Sequence, residues 1–229
     1  MVASFLSLGN ERIINRYCHL NPSVSVSALT KLLSTPPRYF RWSGADLFNV
    51  TNQQGKRQMI VVETNSCPSG QKSMPMVNND DNEDGYHILM RTSFKTMLEE
   101  RQACATTPPL PQGGLAVIFD KNPMEANGYA AAMADVFKEP VYAAEFYVAE
   151  KDPDPPVKWI ADVMHVRDAQ GEWHPIRAAF RYVTQRPWDR IPMNSKTLVL
   201  NSVSGRAKGV GGDGWAGRRP VMVAQSSFL

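Results

Sequence analysis

Glu63 and Asn65 stand two residues apart where an apolar, β-branched run, Met59-Ile-Val-Val62, gives way to a polar loop. Alternate residues of a strand face the same side, so a carboxylate and an amide at this spacing point together. A buried strand that presents such a pair to a loop is a common place for a site in an α/β protein. A strand that simply ends in a polar turn accounts for the same residues, and at this point both readings stand. The loop carries Ser66, Cys67, Ser69, Gly70 and Lys72. A nucleophilic Cys67 needs a basic partner such as histidine nearby in space. His19, His87, His165 and His174 are available, but no motif links any of them to Cys67. An ordinary loop cysteine is therefore expected, with a Cys67-dependent amidase as the lesser alternative.

Other chemistry-bearing patterns are weaker. His165 and His174 flank a turn and could share a metal, but no third ligand is evident, so exposed strand histidines are expected. The acidic run 78–85 ends in Gly85 but lacks the liganding order of a calcium loop. It reads as a solvated loop. Gly209-Val-Gly-Gly-Asp-Gly214 matches GxGxxG literally. A dinucleotide site would need a strand before it and a helix after it, and neither is expected there. Trp159, Trp173 and Trp188 read as packing residues.

The bulk properties limit the function classes. The chain has 229 residues, enough for one large domain or two small ones, with 43% hydrophobic and 21% charged residues. No apolar run approaches the roughly 20 residues of a membrane helix, and the first residues do not resemble a secretory signal. Three widely spaced cysteines suit a reducing compartment, hence a cytoplasmic protein. The net charge of +3 belongs to residues 201–229, where Arg206, Lys208, Arg218 and Arg219 oppose Asp213. The charge-balanced body offers no electrostatic case for nucleic acid or membrane as a partner.

The elements that must position these residues follow from periodicity. Two helices are expected first, Glu11 to Leu20 capped by Asn10, and Ser23 to Leu33. Extended segments 38–51 and 56–65 flank the turn Asn52-Gln-Gln-Gly55 and form a hairpin. Tyr86 to Ala103 is a helix with Ile88, Leu89, Phe94, Met97 and Leu98 inside. Strand 115–119, helix 124–138 and strand 140–148 make a βαβ unit with parallel pairing. Residues 157–167 and 172–183 are strands joined at Asp168-Ala-Gln-Gly171, and Arg186-Pro-Trp-Asp-Arg-Ile-Pro192 is a tight, aromatic-anchored segment. Six of the fifteen glycines fall after Leu200, where periodicity stops, so 201–229 reads as disordered. The expected fold class is α/β, a mixed sheet with a βαβ unit and flanking helices. The expected organisation is a helical segment 1–37, a substrate- and metal-binding domain 38–200 and the tail.

Asp46 on one strand, Glu63 and Asn65 on the next, and the Ser-rich loop after them resemble the glutathionylspermidine synthase-like enzymes of the ATP-grasp superfamily. Gly114-Leu-Ala-Val-Ile-Phe-Asp120, with its Ala-rich helix and the strand at Val141-Tyr142, is similar to the substrate-lobe βαβ unit of that group. Ile176-Arg-Ala-Ala-Phe-Arg-Tyr182 with Pro187-Trp188 is similar to the segment that precedes its ATP-binding lobe. The resemblance covers about residues 38–195.

That resemblance implies an ATP-dependent carboxylate–amine ligase. Asp46, Glu63 and Asn65 would hold Mg²⁺ near the ATP phosphates, a donor set that suits a hard cation. Ser66, Ser69, Gly70 and Lys72 would bind a small-molecule or peptide-like substrate. Arg181 and Arg186 would pair a carboxylate or phosphate during the reaction. Two departures stand out. The family carries an arginine two residues before the aspartate, where this chain has Gly44. Only a glycine-rich tail follows Leu200 where an ATP lobe is expected, which implies a truncated form, inactive alone. A non-catalytic binding module on the same fold is the alternative.

Overall fold

The computed structural model describes residues 9–35, 41–65 (63–65 by backbone alone), 70, 84–146, 153–182, 191–192 and 194–200. In chain order the elements are helices α1 (Asn10–Leu20) and α2 (Val26–Ser34), strands β1 (Gly44–Thr51) and β2 (Arg57–Asn65), and a long helix. That helix comprises α3 (Gly85–Leu89), a π-helical stretch Met90–Lys95 and α4 (Thr96–Ala103). Strand β3 (Gly114–Phe119), α5 (Pro123–Phe137) and β4 (Val141–Glu145) follow. The last strands are β5 (Val157–Ile160), β6 (Val163–Arg167), β7 (Trp173–Tyr182) and β8 (Leu198–Leu200).

The main sheet runs β4-β3-β7-β6-β5, with β8 also on β7. β4, β3, β7 and β8 are parallel, while β5, β6 and the start of β7 pair antiparallel. The edge of β7 away from β3 is shared: β6 takes Trp173–Ile176 and β8 takes Ala178–Phe180. Parallel strands covered on both faces need apolar residues at successive positions, and Leu115 through Phe119 are all buried. One face packs Leu115, Val117, Phe180 and Tyr182 against Met90, Phe94, Tyr129 and Met133 of the helices. The other packs Ala116, Ile118 and Ala179 with Met164, Val166, Phe146 and Ile191. The βαβ unit, the β1–β2 hairpin and the mixed sheet agree with the expected α/β class.

The differences are local. Gly9, not Asn10, occupies the cap of α1, and Asn10 is its first helical residue. α2 starts at Val26, where the Ser25 hydroxyl accepts from the Ala28 N–H at 3.4 Å. The run 157–167 is not one strand. It turns back at Ala161 and Asp162, whose φ values of 49° and 69° make the left-handed pair of a tight hairpin. The 86–103 helix has a wider middle turn, which brings Met90 fully inside and leaves Ile88 and Met97 half-buried. β8, only three residues long, joins the sheet through β7.

Candidate functional site

The carboxyl ends of parallel strands diverge where neighbouring strands send the chain to opposite sides, and the gap they leave is where α/β proteins bind ligands. β3 leads through α5 to β4 on one side, while β7 has β8 as its parallel neighbour on the other. Phe119 pairs with Tyr182 at this end. Asn122 caps α5 with a left-handed φ of 50°, and Pro123 opens the helix. Glu125 then falls in the first turn, where the helix dipole favours negative charge.

Glu125 ties three parts of the chain together. One carboxyl oxygen accepts the Gly70 N–H at 2.6 Å, and the other accepts the hydroxyl of the fully buried Tyr182 at 2.7 Å. Asn122 donates its amide to the same hydroxyl at 3.3 Å. Tyr86 lies alongside. Burial first, then the Glu125 charge, pushes its phenol up to about 12, so it stays a neutral donor across physiological pH. Its ring stacks at a tilt on Tyr129, 4.5 Å between centroids, and lies against Gly128. A Cβ on Gly128 would come within 2.6 Å of that ring, so glycine is needed there for the close approach.

The β1–β2 hairpin meets this end of the sheet at its root. Trp42, two residues before β1, packs on Phe180 with centroids 6.0 Å apart, while Arg41 reaches the other way and pairs at 2.7 Å with Glu100 in the last turns of α4. On the other side the chain leaves β2 at Asn65 and reaches Gly70, which Glu125 holds. Within the hairpin Asp46 lies opposite Glu63 and Gly44 opposite Asn65. The pairing skips Val62, a bulge of the kind that re-aims side chains beside sites. Asp46 is exposed. The register sets the backbones of Asp46, Glu63 and Asn65 at neighbouring positions, and carboxylate and amide oxygens are the donor types that magnesium takes.

Gly70 thus reaches the sheet end, and Asp46, Glu63 and Asn65 lie on the hairpin strands that precede it in the chain. Arg181 is half-buried at the same end of β7, but strand alternation places it on the face opposite Tyr182. Ser66, Cys67, Ser69, Lys72, Arg186 and Trp188 lie outside the described residues, as do nearly all of the acidic loop and the whole glycine-rich tail. The sequence reading missed Glu125, Tyr182, Asn122 and Tyr86. A usable signal was a proline-opened helix directly after a buried strand, with an acid in its first turn.

Two further polar clusters lie elsewhere in the fold. His87 lies between Asp84 (3.0 Å) and Asp135 (3.1 Å), while Asp84 also caps α3 through the Tyr86 and His87 N–H groups. His174 lies 2.6 Å from Asp168, and with Glu172 these groups converge within 4.8 Å in the β6–β7 turn. The His174 ring, then the Glu172 N–H, hold Asp168 below the usual carboxylate range. His165 takes no part in that cluster; its ring meets the Val163 carbonyl instead. Trp159 packs edge-on against Phe146, and Trp173 lies under Lys158 and Arg167. Among the described residues no helix is long and apolar enough to cross a membrane.

Compared with protein-family models, with curated proteins and with solved structures, the chain matches none.

Proposed function

We propose that this chain is the substrate- and magnesium-binding part of an ATP-dependent carboxylate–amine ligase. The observation that carries the reading is the pairing of Asp46 with Glu63 near the root of a hairpin tethered to the carboxyl ends of β3 and β7. Asp46, Glu63 and Asn65 would hold the ion, which supplies positive charge against phosphate oxygens when bound. Glu125, itself fixed by the Tyr182 hydroxyl, holds Gly70, one fixed point of the loop from which Ser66, Ser69 and Lys72 would reach a small or peptide-like substrate. Arg181, at the same end of β7 but on its other face, and Arg186, outside the described residues, are the candidate partners of a carboxylate or phosphate.

Calorimetric titration with Mn²⁺, competed by Mg²⁺, tests the reading. One site per chain is expected, weakened at least about tenfold in Asp46→Asn. Undiminished binding by that variant, or no binding by the parent chain, sinks it. A second reading, a non-catalytic binding module, is favoured by the exposed apolar side chains of the hairpin. It predicts no divalent-cation site.

A further inference from the structure

The opposite, amino-terminal end of the sheet holds a cavity of about 430 Å³ between the end of α4, the 104–113 connection and β7. Its volume falls in the range of small-molecule sites, roughly 300–1,000 Å³. Two arginines line it, Arg101 and Arg177, and none of its described lining residues is acidic. Arg101 is braced by the Thr107 hydroxyl and, at 2.6 Å, by the Pro108 carbonyl. Both acceptors are neutral, so they take away the side chain's freedom without compensating its charge. Arg177 is the extra residue of a bulge in β7, where Gly114 pairs with Ile176 and Leu115 with Ala178. Its guanidinium donates to the Gly113 carbonyl at 2.7 Å and pairs with Glu139. Pro109 and Leu110 give the same cavity an apolar wall.

We infer that this cavity binds a small organic anion, a carboxylate or phosphate group on an apolar body. The Arg101 fork, held by neutral acceptors, matches both groups, and fixing it in advance lowers the entropic cost of binding; Arg177, whose charge Glu139 offsets, adds hydrogen-bond donors. The inference does not rest on the ligase reading, which concerns the other end of the sheet.

Cys104 also lines the cavity and reports its occupancy. Hydrogen bonds with Thr106, then Thr107, bring its thiol down to about 7, so it reacts readily with iodoacetamide at neutral pH. The experiment follows alkylation of each cysteine by peptide mass spectrometry at constant ionic strength. Benzoate, phenyl phosphate and neutral benzamide are the probes. At least one anion should slow Cys104 saturably, by about fivefold or more, while benzamide and the rate at Cys18 stay unchanged. Which anion acts distinguishes carboxylate from phosphate. Arg101→Gln should raise the half-saturating concentration about tenfold, the effect of losing one charged hydrogen-bonding partner. If that variant loses its folded circular-dichroism signal, Arg101→Lys replaces it and should show a smaller rise. The inference is overturned if neither anion protects, if benzamide protects equally, or if the folded Arg101 variant saturates like the parent.

Discussion

Leu115-Ala-Val-Ile-Phe119 and Met59-Ile-Val-Val62 are both short apolar runs rich in β-branched residues, and both form strands. The first is buried at every position, between helices on one face and the second core on the other. In the hairpin Phe48 is 64% exposed, Val61 54% and Val62 53%, and none of its described side chains belongs to either core. A strand acquires a core only when other elements supply layers for its faces. The sheet has them, and the hairpin is held at its root by Trp42 and Gly70. Stability therefore resides in the sheet, while the hairpin carries Asp46 and Glu63, the residues proposed above to hold the ion.

The sharpest way to break this contrast is a matched pair of truncations. Phe180→Ala should cost about 3–5 kcal/mol in urea unfolding. Phe48→Ala should stay within about 0.5 kcal/mol. Equal losses would mean that the hairpin is buried in solution and that the two regions do not differ. Gly128→Ala drives a methyl group toward the Tyr86 ring and should cost about 1–3 kcal/mol. An unchanged midpoint would show that Tyr86 packs elsewhere. Glu125→Ala leaves the buried Tyr182 hydroxyl without its acceptor, again about 1–3 kcal/mol, and should speed hydrogen exchange at Gly70. Stability loss without faster exchange at Gly70 would detach the hairpin root from the sheet end.

The smallest effect concerns pH. The Asp84 hydrogen bond, opposed by burial and helped by Asp135, raises His87 above its ordinary value. The sign follows: the protonated ring stabilises fully below about pH 6.5, its unfolded value, and that contribution is lost as pH rises through the folded value. Both partners are partly exposed, so screening keeps the effect small. His87→Gln should lower Tm by about 1–3 °C at pH 6 and by less at pH 8.5. A pH-independent difference would contradict the ion pairs.

Much of this architecture can be read from local signals. The βαβ unit is marked by an uninterrupted apolar strand and by Pro123 at the helix start, and the β1–β2 hairpin by Asn52 and Gly55. Asn52 accepts from the Gln54 and Lys56 N–H groups, and Gly55 takes a φ of 74°. The Ala161-Asp162 turn escapes because alanine at its first position does not advertise a left-handed conformation, and an aspartate with no glycine beside it is a weak signal by itself. β8 escapes because three residues become a strand only through a distant partner. The Glu125–Tyr182 contact joins residues 57 apart, and no local pattern encodes that meeting. Asp46, Glu63 and Gly70 stand out as candidates in the sequence because acids and glycine at strand ends are informative by themselves.

The most direct measurement is paramagnetic broadening of assigned amide signals on adding Mn²⁺ to the full chain. The account predicts broadening centred on Ala45, Asp46 and Gly70 and extending to Asn122, all of it reversed by Mg²⁺. Broadening centred instead on the Asp168–Glu172–His174 turn, or spread without a centre, would contradict a shared site at the hairpin root and the sheet end.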